Sequence, residues 1–203
     1  MYSNKCIIQI GSHVGNTTND PIFKQIDDTT KLIAVEPVPY LFHQLVKNYS
    51  LQYDISNIVF INKAVSDCIG EIELTIPSEQ NDFSRFHPCA SQLSSVNPYH
   101  AIGHFPNLLV ETIKVPTTTI DAILDEYAIH EIDLLHTDTE GHDYTILMNY
   151  SFRIKPRQVL FEHKHMDGLF TVGKNYQELS DRLVSLGYVK MWQKEEDTLF
   201  ELA

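Results

Sequence analysis

Two glycines and an acid set the first chemistry this chain can offer. Gly11 and Gly15 follow the apolar run Cys6-Ile7-Ile8-Gln9-Ile10, and Glu36 ends the next such run, Lys31-Leu32-Ile33-Ala34-Val35. A glycine turn after a buried strand lets backbone approach a ligand with no Cβ in the way. An acid at the end of the neighbouring strand can accept hydrogen bonds from both hydroxyls of a ribose. The pair points to a nucleotide-type cofactor. The plain structural role for Glu36, a carboxylate favoured at a helix N-terminus, is the weaker reading because two signals coincide. Ser12 and His13 follow Gly11, so the G-x-G-x-x-G spacing of nicotinamide sites is missing. That moves the expectation to another adenosine cofactor.

The elements that must hold these residues follow from periodicity. Past Gly15 the chain turns polar, and a helix start is expected there, with its unpaired N–H groups facing the ligand and its remainder over residues 21–28. Leu41, Phe42, Leu45, Val46 and Tyr49 recur at helical spacing after Pro37 and Pro39. Strands are predicted over 57–62, over 70–76 from strict alternation, and over 111–115. Thr119 can cap a helix carrying Ile120, Ile123 and Leu124. A strand over 132–137 ends at Asp138, a short helix covers 143–150, and a strand over 159–162 runs into His163-Lys164-His165. Tyr176, Leu179, Leu183 and Leu186 form a helical stripe that stops at Gly187, and 188–192 with 198–202 read as a closing hairpin. Alternating strands and helices imply a parallel sheet covered on both faces. Glu36, Asp138, Glu162 and the glycine turn then sit at strand carboxyl ends, where such sheets bind ligands.

The bulk numbers fit one domain over 1–203. Residues 77–110 break the pattern with prolines, serines and asparagines. They read as a substrate-side insertion with short elements of its own, ordered by Phe83, Phe86, Tyr99 and Phe105. Fifteen basic residues against 27 acidic give a net charge of −12, which argues against general nucleic-acid binding and against an anionic membrane surface. Cys6, Cys68 and Cys89 form no metal or disulfide pattern, and no signal peptide or membrane span is readable. A reducing, cytoplasmic setting is expected. A monomer or a homodimer paired at the hairpin edge are both open.

An ordered set of motifs carries a resemblance. Ile10-Gly11 to Gly15, Val35-Glu36-Pro37, Ala64-Val65-Ser66-Asp67 with Gly70, Thr119-Ile120-Asp121, Asp138-Thr139-Glu140-Gly141 and Phe161-Glu162 follow one another over roughly residues 6–165. In that order the chain resembles the FkbM-type methyltransferases, a branch of the class I enzymes that use S-adenosylmethionine. The resemblance implies an α/β, Rossmann-like doubly wound sheet, mostly parallel, with an antiparallel C-terminal hairpin strand. It implies that Gly11, Ser12, His13 and Gly15 face the methionine part of the cofactor, that Glu36 holds the ribose, and that Ala64 and Val65 lie near the adenine. Asp138 would lie near the methionine amino group or the reacting hydroxyl. The acceptor implied is a small hydroxylated, sugar-like molecule. Two positions depart from the family pattern: Gln9 stands where an acid is usual, and His136 where a lysine is usual.

Methyl transfer to oxygen needs the acceptor proton removed and the partners aligned. His136, Asp138, His142, His163 and His165 are the possible bases. His163 is preferred, with Glu162 or Asp138 orienting it. A divalent metal on Asp138, Glu162, His163 and His165, chelating a diol, is a less favoured expectation. His87, His100 and His104 are read as solvated surface. The competing functional class is a non-catalytic Rossmann-like module that binds a nucleotide or a protein partner.

Overall fold

The structure is a computed structural model describing residues 5–18 and 20–203. Its centre is a seven-stranded sheet in the order β3-β2-β1-β7-β8-β10-β9, with β1 Cys6–Ile10, β2 Lys31–Val35, β3 Ile58–Ile61, β7 Leu134–Thr137, β8 Gln158–Glu162, β9 Tyr188–Lys194 and β10 Asp197–Leu202. The first five run parallel; β10 pairs antiparallel with both β8 and β9. The expected doubly wound sheet with its C-terminal hairpin is therefore present, with β10 inside and β9 at the edge.

Alternation along the strands feeds two cores. Ile7, Leu32 and Ala34 pack with Leu45 and Tyr49 of α1 (Pro39–Gln52). Ile8, Ile10, Ile33 and Val35 pack on the opposite face. Their partners are Ile123 of α3 (Ile120–Glu126), Leu147 of α4 (Asp143–Asn149) and Leu179 and Leu183 of α5 (Lys174–Ser185). Side chains of successive strand residues point to opposite faces, so near-continuous apolar strands must be covered on both. Thr119 caps α3, its Oγ1 accepting from the Ala122 N–H at 3.1 Å. Among the described residues no helix is long and apolar enough to cross a membrane.

One expectation fails, and a second feature of the fold is additional to what the periodicity implied. Among the described residues between β1 and β2 there is no helix, only turns. The cause lies in local hydrogen bonding: Asp20 Oδ1 accepts from the Ile22 and Phe23 amides, and Asp27 closes a second turn on Thr29 and Thr30. Carboxylates that bond nearby backbone in this way compete with helix formation. The second concerns the middle strands. β4 (Ala64–Val65), β5 (Gly70–Pro77) and β6 (Val110–Thr118) leave the main sheet and form a separate three-stranded one, ordered β4-β6-β5. Between β5 and β6 the chain is ordered by its own apolar cluster of Ala90, Leu93, Ala101 and Leu108, with Phe83, Phe86 and Phe105 against it. This segment includes α2 (His100–His104).

Candidate functional site

Strand order reverses direction between β1 and β7, and the chain exits there in opposite senses. The exits touch: a Cβ on Gly11 would stand 1.9 Å from the Asp138 carbonyl oxygen, and Gly11 holds φ +83°. Only glycine fits that position. A crevice opens there, at the carboxyl ends of β1, β2 and β7. Ligands in open α/β sheets sit at such a switch point.

Gly11, Ser12, His13, Glu36, Ala64, Val65 and Asp138 all line this crevice. Gly15 does not. Its φ is +78°, and a Cβ there would meet Tyr49 Cε2 at 2.6 Å and Leu45 Cδ1 at 2.9 Å. Gly15 is fixed by the packing of α1, and the expectation that it faces the cofactor is corrected on that ground. The first two amides of the glycine turn are not free to meet a ligand. Gly11 and Ser12 N–H both donate to Val35 O at 3.0 Å.

Glu36 joins the two walls. Its Oε2 accepts from the His13 N–H at 2.8 Å and its Oε1 from the Val38 N–H at 2.9 Å. The carboxyl is 4% exposed, and burial pushes it up to about 8 despite both amides. The helix-start role and the crevice-facing position therefore coexist in one side chain. His13 latches the wall to the β5–β6 segment, its Nε2 lying 3.2 Å from Ser91 O. Burial holds that ring down at about 4, so it is neutral and donates from Nε2.

At the polar end Gln9 Nε2 donates to Asp20 Oδ2 at 2.7 Å, and both residues line the crevice. Gln9 Oε1 is buried and without a partner. Asp20, which no sequence pattern marks, sets a carboxylate next to Gln9, where Gln9 itself has only an amide. His136 also lines the crevice, held down at about 4 by burial, with Nδ1 unpartnered. His142 lines it too, with Nε2 3.0 Å from Ser66 Oγ.

Beyond Asp138 the carboxyls crowd. Burial raises Asp138 well above the usual carboxylate range, and the charges of Glu140 and Asp143 add to it. Glu140 holds φ +52°, an uncommon conformation for a residue with a side chain. Thr139 N–H and Oγ1 both donate to Asp143 Oδ2, at 3.2 and 2.7 Å, fixing this turn. Glu140 lines the crevice with one side and accepts from His100 Nε2 at 2.7 Å on the other. Reading His100 and His104 as solvated surface is thereby corrected: His100 is 1% exposed, and both rings pack on His165.

The preferred base is corrected as well. His163 does not line the crevice. Strand alternation puts it on the same face as Phe161, toward α5, where its ring lies 5.5 Å from that of Tyr176. Its Nδ1 is 3.0 Å from Thr198 Oγ1 and its N–H donates to Glu196 O. Glu162 points the other way, behind the crevice wall, with Oε1 3.5 Å from His165 Nε2. The metal grouping that included His163 fails for the same reason.

Comparison with known proteins follows the geometry. No curated protein matches the chain. The crystal structure of the FkbM methyltransferase from Methylobacillus flagellatus KT superposes with a TM-score of 0.58 at 12% identity, covering 98% of this chain and 44% of that one. This chain thus spans less than half of that protein. A Staphylococcus aureus protein provisionally named a caffeoyl-CoA O-methyltransferase superposes with a TM-score of 0.52 at 10% identity, covering 98% and 76%. At these identities the likeness shows the fold: the same α/β arrangement with a seven-stranded sheet. The profile of the methyltransferase FkbM domain matches residues 9–190, nearly the whole chain, and this chain belongs to that methyltransferase family.

Proposed function

We propose that this protein transfers a methyl group from S-adenosylmethionine to a hydroxyl of a small, sugar-like acceptor. The observation that carries the reading is the content of one crevice: a buried ribose-competent acid, an apolar wall, and a polar end with an orphaned acceptor. Glu36 keeps free lone pairs beyond its two amide bonds and suits vicinal hydroxyls. Ala64, Val65, Leu41 and Leu74 give a flat ring an apolar wall. Gln9 Oε1, buried and unpartnered, can accept from an ammonium whose charge Asp20 balances. These residues fit the cofactor. When bound, it supplies a methyl on a cationic sulfur, a good leaving group.

The chain's own work is then alignment and proton removal. Asp138 is the base in this reading. It stands at the end of β7 in the crevice wall, and its raised carboxyl is better matched to a hydroxyl proton than an ordinary aspartate. The proton passes from the acceptor hydroxyl to an Asp138 oxygen. His142, tethered to Ser66 and neutral through burial, orients the acceptor as a hydrogen-bond partner. The acceptor is small rather than a nucleic acid, whose phosphates a net charge of −12 repels.

Calorimetric titration with S-adenosylhomocysteine tests the cofactor assignment. One-to-one binding and a rise in Tm are expected; no heat and no rise sink the reading. Methyl transfer to a panel of sugars and polyols, followed by mass spectrometry, tests the acceptor class. Products methylated on nitrogen or carbon alone would overturn the O-methyl part.

A further inference from the structure

Three histidines and one glutamate from separate stretches of chain meet at the rim of the crevice. His100 and His104 come from the two ends of α2, Glu140 from the turn after β7, and His165 from the turn after β8. One nitrogen or oxygen from each lies within 4.8 Å of every other. His100 Nε2 is 2.7 Å from Glu140 Oε2, and His165 Nε2 is 3.8 Å from the same oxygen. The rings are packed with centroids 4.6 to 5.1 Å apart. His100 and His165 are buried, and His104 is half-buried.

A hydrogen-bonded cluster that only tied loops together would satisfy its own polar atoms. This one does not. His104 Nε2 has no partner, and Glu162 Oε2, behind the cluster on a carboxylate 4% exposed, has none. From these observations we infer that His100, His104, Glu140 and His165 bind one late first-row divalent metal ion of the zinc class, which clasps α2 onto the two turns beneath it.

The donor set selects the ion. Imidazole nitrogens suit zinc, copper, iron and nickel, whereas magnesium and calcium take oxygen ligands. Three histidines and a carboxylate complete a tetrahedron, as closed structural zinc sites do. Tetrahedral zinc with bonds of about 2.0–2.1 Å sets its ligand atoms about 3.3–3.4 Å apart, so atoms now up to 4.8 Å apart close by as much as about 1.5 Å while the 2.7 Å His100–Glu140 pair opens. His165 also has to change its proton. Its Nδ1 now accepts from the Phe170 N–H at 3.1 Å, which leaves the ring proton on Nε2. Ligation through Nε2 moves that proton to Nδ1, so the Phe170 amide must turn away. Phe170 lies beside Gly168 in a turn with φ +53° and +121° at these two residues.

Untagged, metal-stripped protein titrated with Zn²⁺ by calorimetry tests this without reference to methyl transfer. One ion per chain is expected, with a Tm rise of about 5–10 °C once zinc exceeds its Kd about 100-fold. Co²⁺ in place of zinc should give the intense visible bands of a four-coordinate ion. The Phe170 amide resonance should shift on loading. His104→Ala, at the most open ligand, and Glu140→Gln should each weaken zinc binding more than about 100-fold, beyond the effect of losing an outer partner. His87→Ala, at the exposed His87 beside Cys89, should leave affinity and stoichiometry unchanged. The inference falls if the wild type binds no zinc, or if both ligand variants bind as the wild type does. S-adenosylhomocysteine affinity, measured on the same samples, separates failure of the metal site from failure of the cofactor reading.

Discussion

The two ends of the crevice are built in different ways. At the β1–β2 end, Gly11 to His13 and Glu36 are short runs at the exits of adjacent strands, and most of their bonds are to each other's backbone. At the far end, Glu140 meets His100 across 40 residues of chain and His165 across another turn, almost wholly through side chains. The first end has its geometry imposed by sheet pairing. The second exists only because the segment between β5 and β6 folds back over the crevice. A site set by strand exits tolerates change in distant residues; a site assembled from separate segments depends on each of them.

The largest test of this contrast concerns Gly15. Gly15→Ala should destabilise the fold by about 3–4 kcal/mol, since it adds left-handed strain to a clash with Tyr49. Denaturant melts measure this. Affinity of the folded fraction for S-adenosylhomocysteine should stay within about threefold of wild type. A large loss of affinity with unchanged stability would return Gly15 to the ligand.

Glu36→Ala should weaken S-adenosylhomocysteine binding by about 100-fold, or ~2.7 kcal/mol. Full affinity would remove the ribose assignment. Asp20→Asn loses the charge, and its single side-chain oxygen can no longer accept from both Gln9 and the Ile22 and Phe23 amides. Its expected cost is about tenfold in affinity. No change would mean that Asp20 only closes the local turn.

Protonation gives a smaller effect with a definite sign. Glu36 titrates near 8 in the folded state and near 4.5 when unfolded, so the folded state holds an extra proton between these values. Its contribution is present below pH 4.5 and is lost as pH rises through 8. His13 and His136, held down at about 4, act oppositely, but their effect is complete by about pH 6.5. Glu140, pushed up to about 8 by burial, and the raised Asp138 and Glu162 act in the same sense as Glu36, so the Tm of the ligand-free protein should fall between pH 6.5 and 8, and Glu36→Gln should lessen that fall in a pH series of melts. A Tm that rises over this window would contradict the burial of Glu36.

The last test concerns His163, whose effect falls on stability and not on the site. His163→Ala should cost about 1–2 kcal/mol by leaving Thr198 Oγ1 underbonded in the core. Cofactor affinity and turnover should not change. Loss of turnover with normal binding would restore His163 as the base.

Strand existence and order along the chain were legible in the sequence because apolar runs bounded by glycine, proline and acid repeat the strand–helix alternation. The residues at strand exits, Gly11, Glu36 and Asp138, were legible for the same reason. Strand parity decides His163: one residue beyond the β8 exit, it shares the face of Phe161 and turns to α5, so its place next to Glu162 in sequence does not bring it into the crevice. Asp20 carried no signal, because a lone acid in a turn is ordinary until tertiary contact puts it 2.7 Å from Gln9.

The sequence by itself determined the sheet, its doubly covered faces and the membership of the wall around Glu36, since these follow from local periodicity and from where strands end. Only the tertiary structure decided that the β5–β6 segment closes the other side, that Gly15 serves the core, and that His100, His104, Glu140 and His165 share one space. Those outcomes depend on side chains far apart in the chain meeting after it has folded, and no local pattern encodes such a meeting.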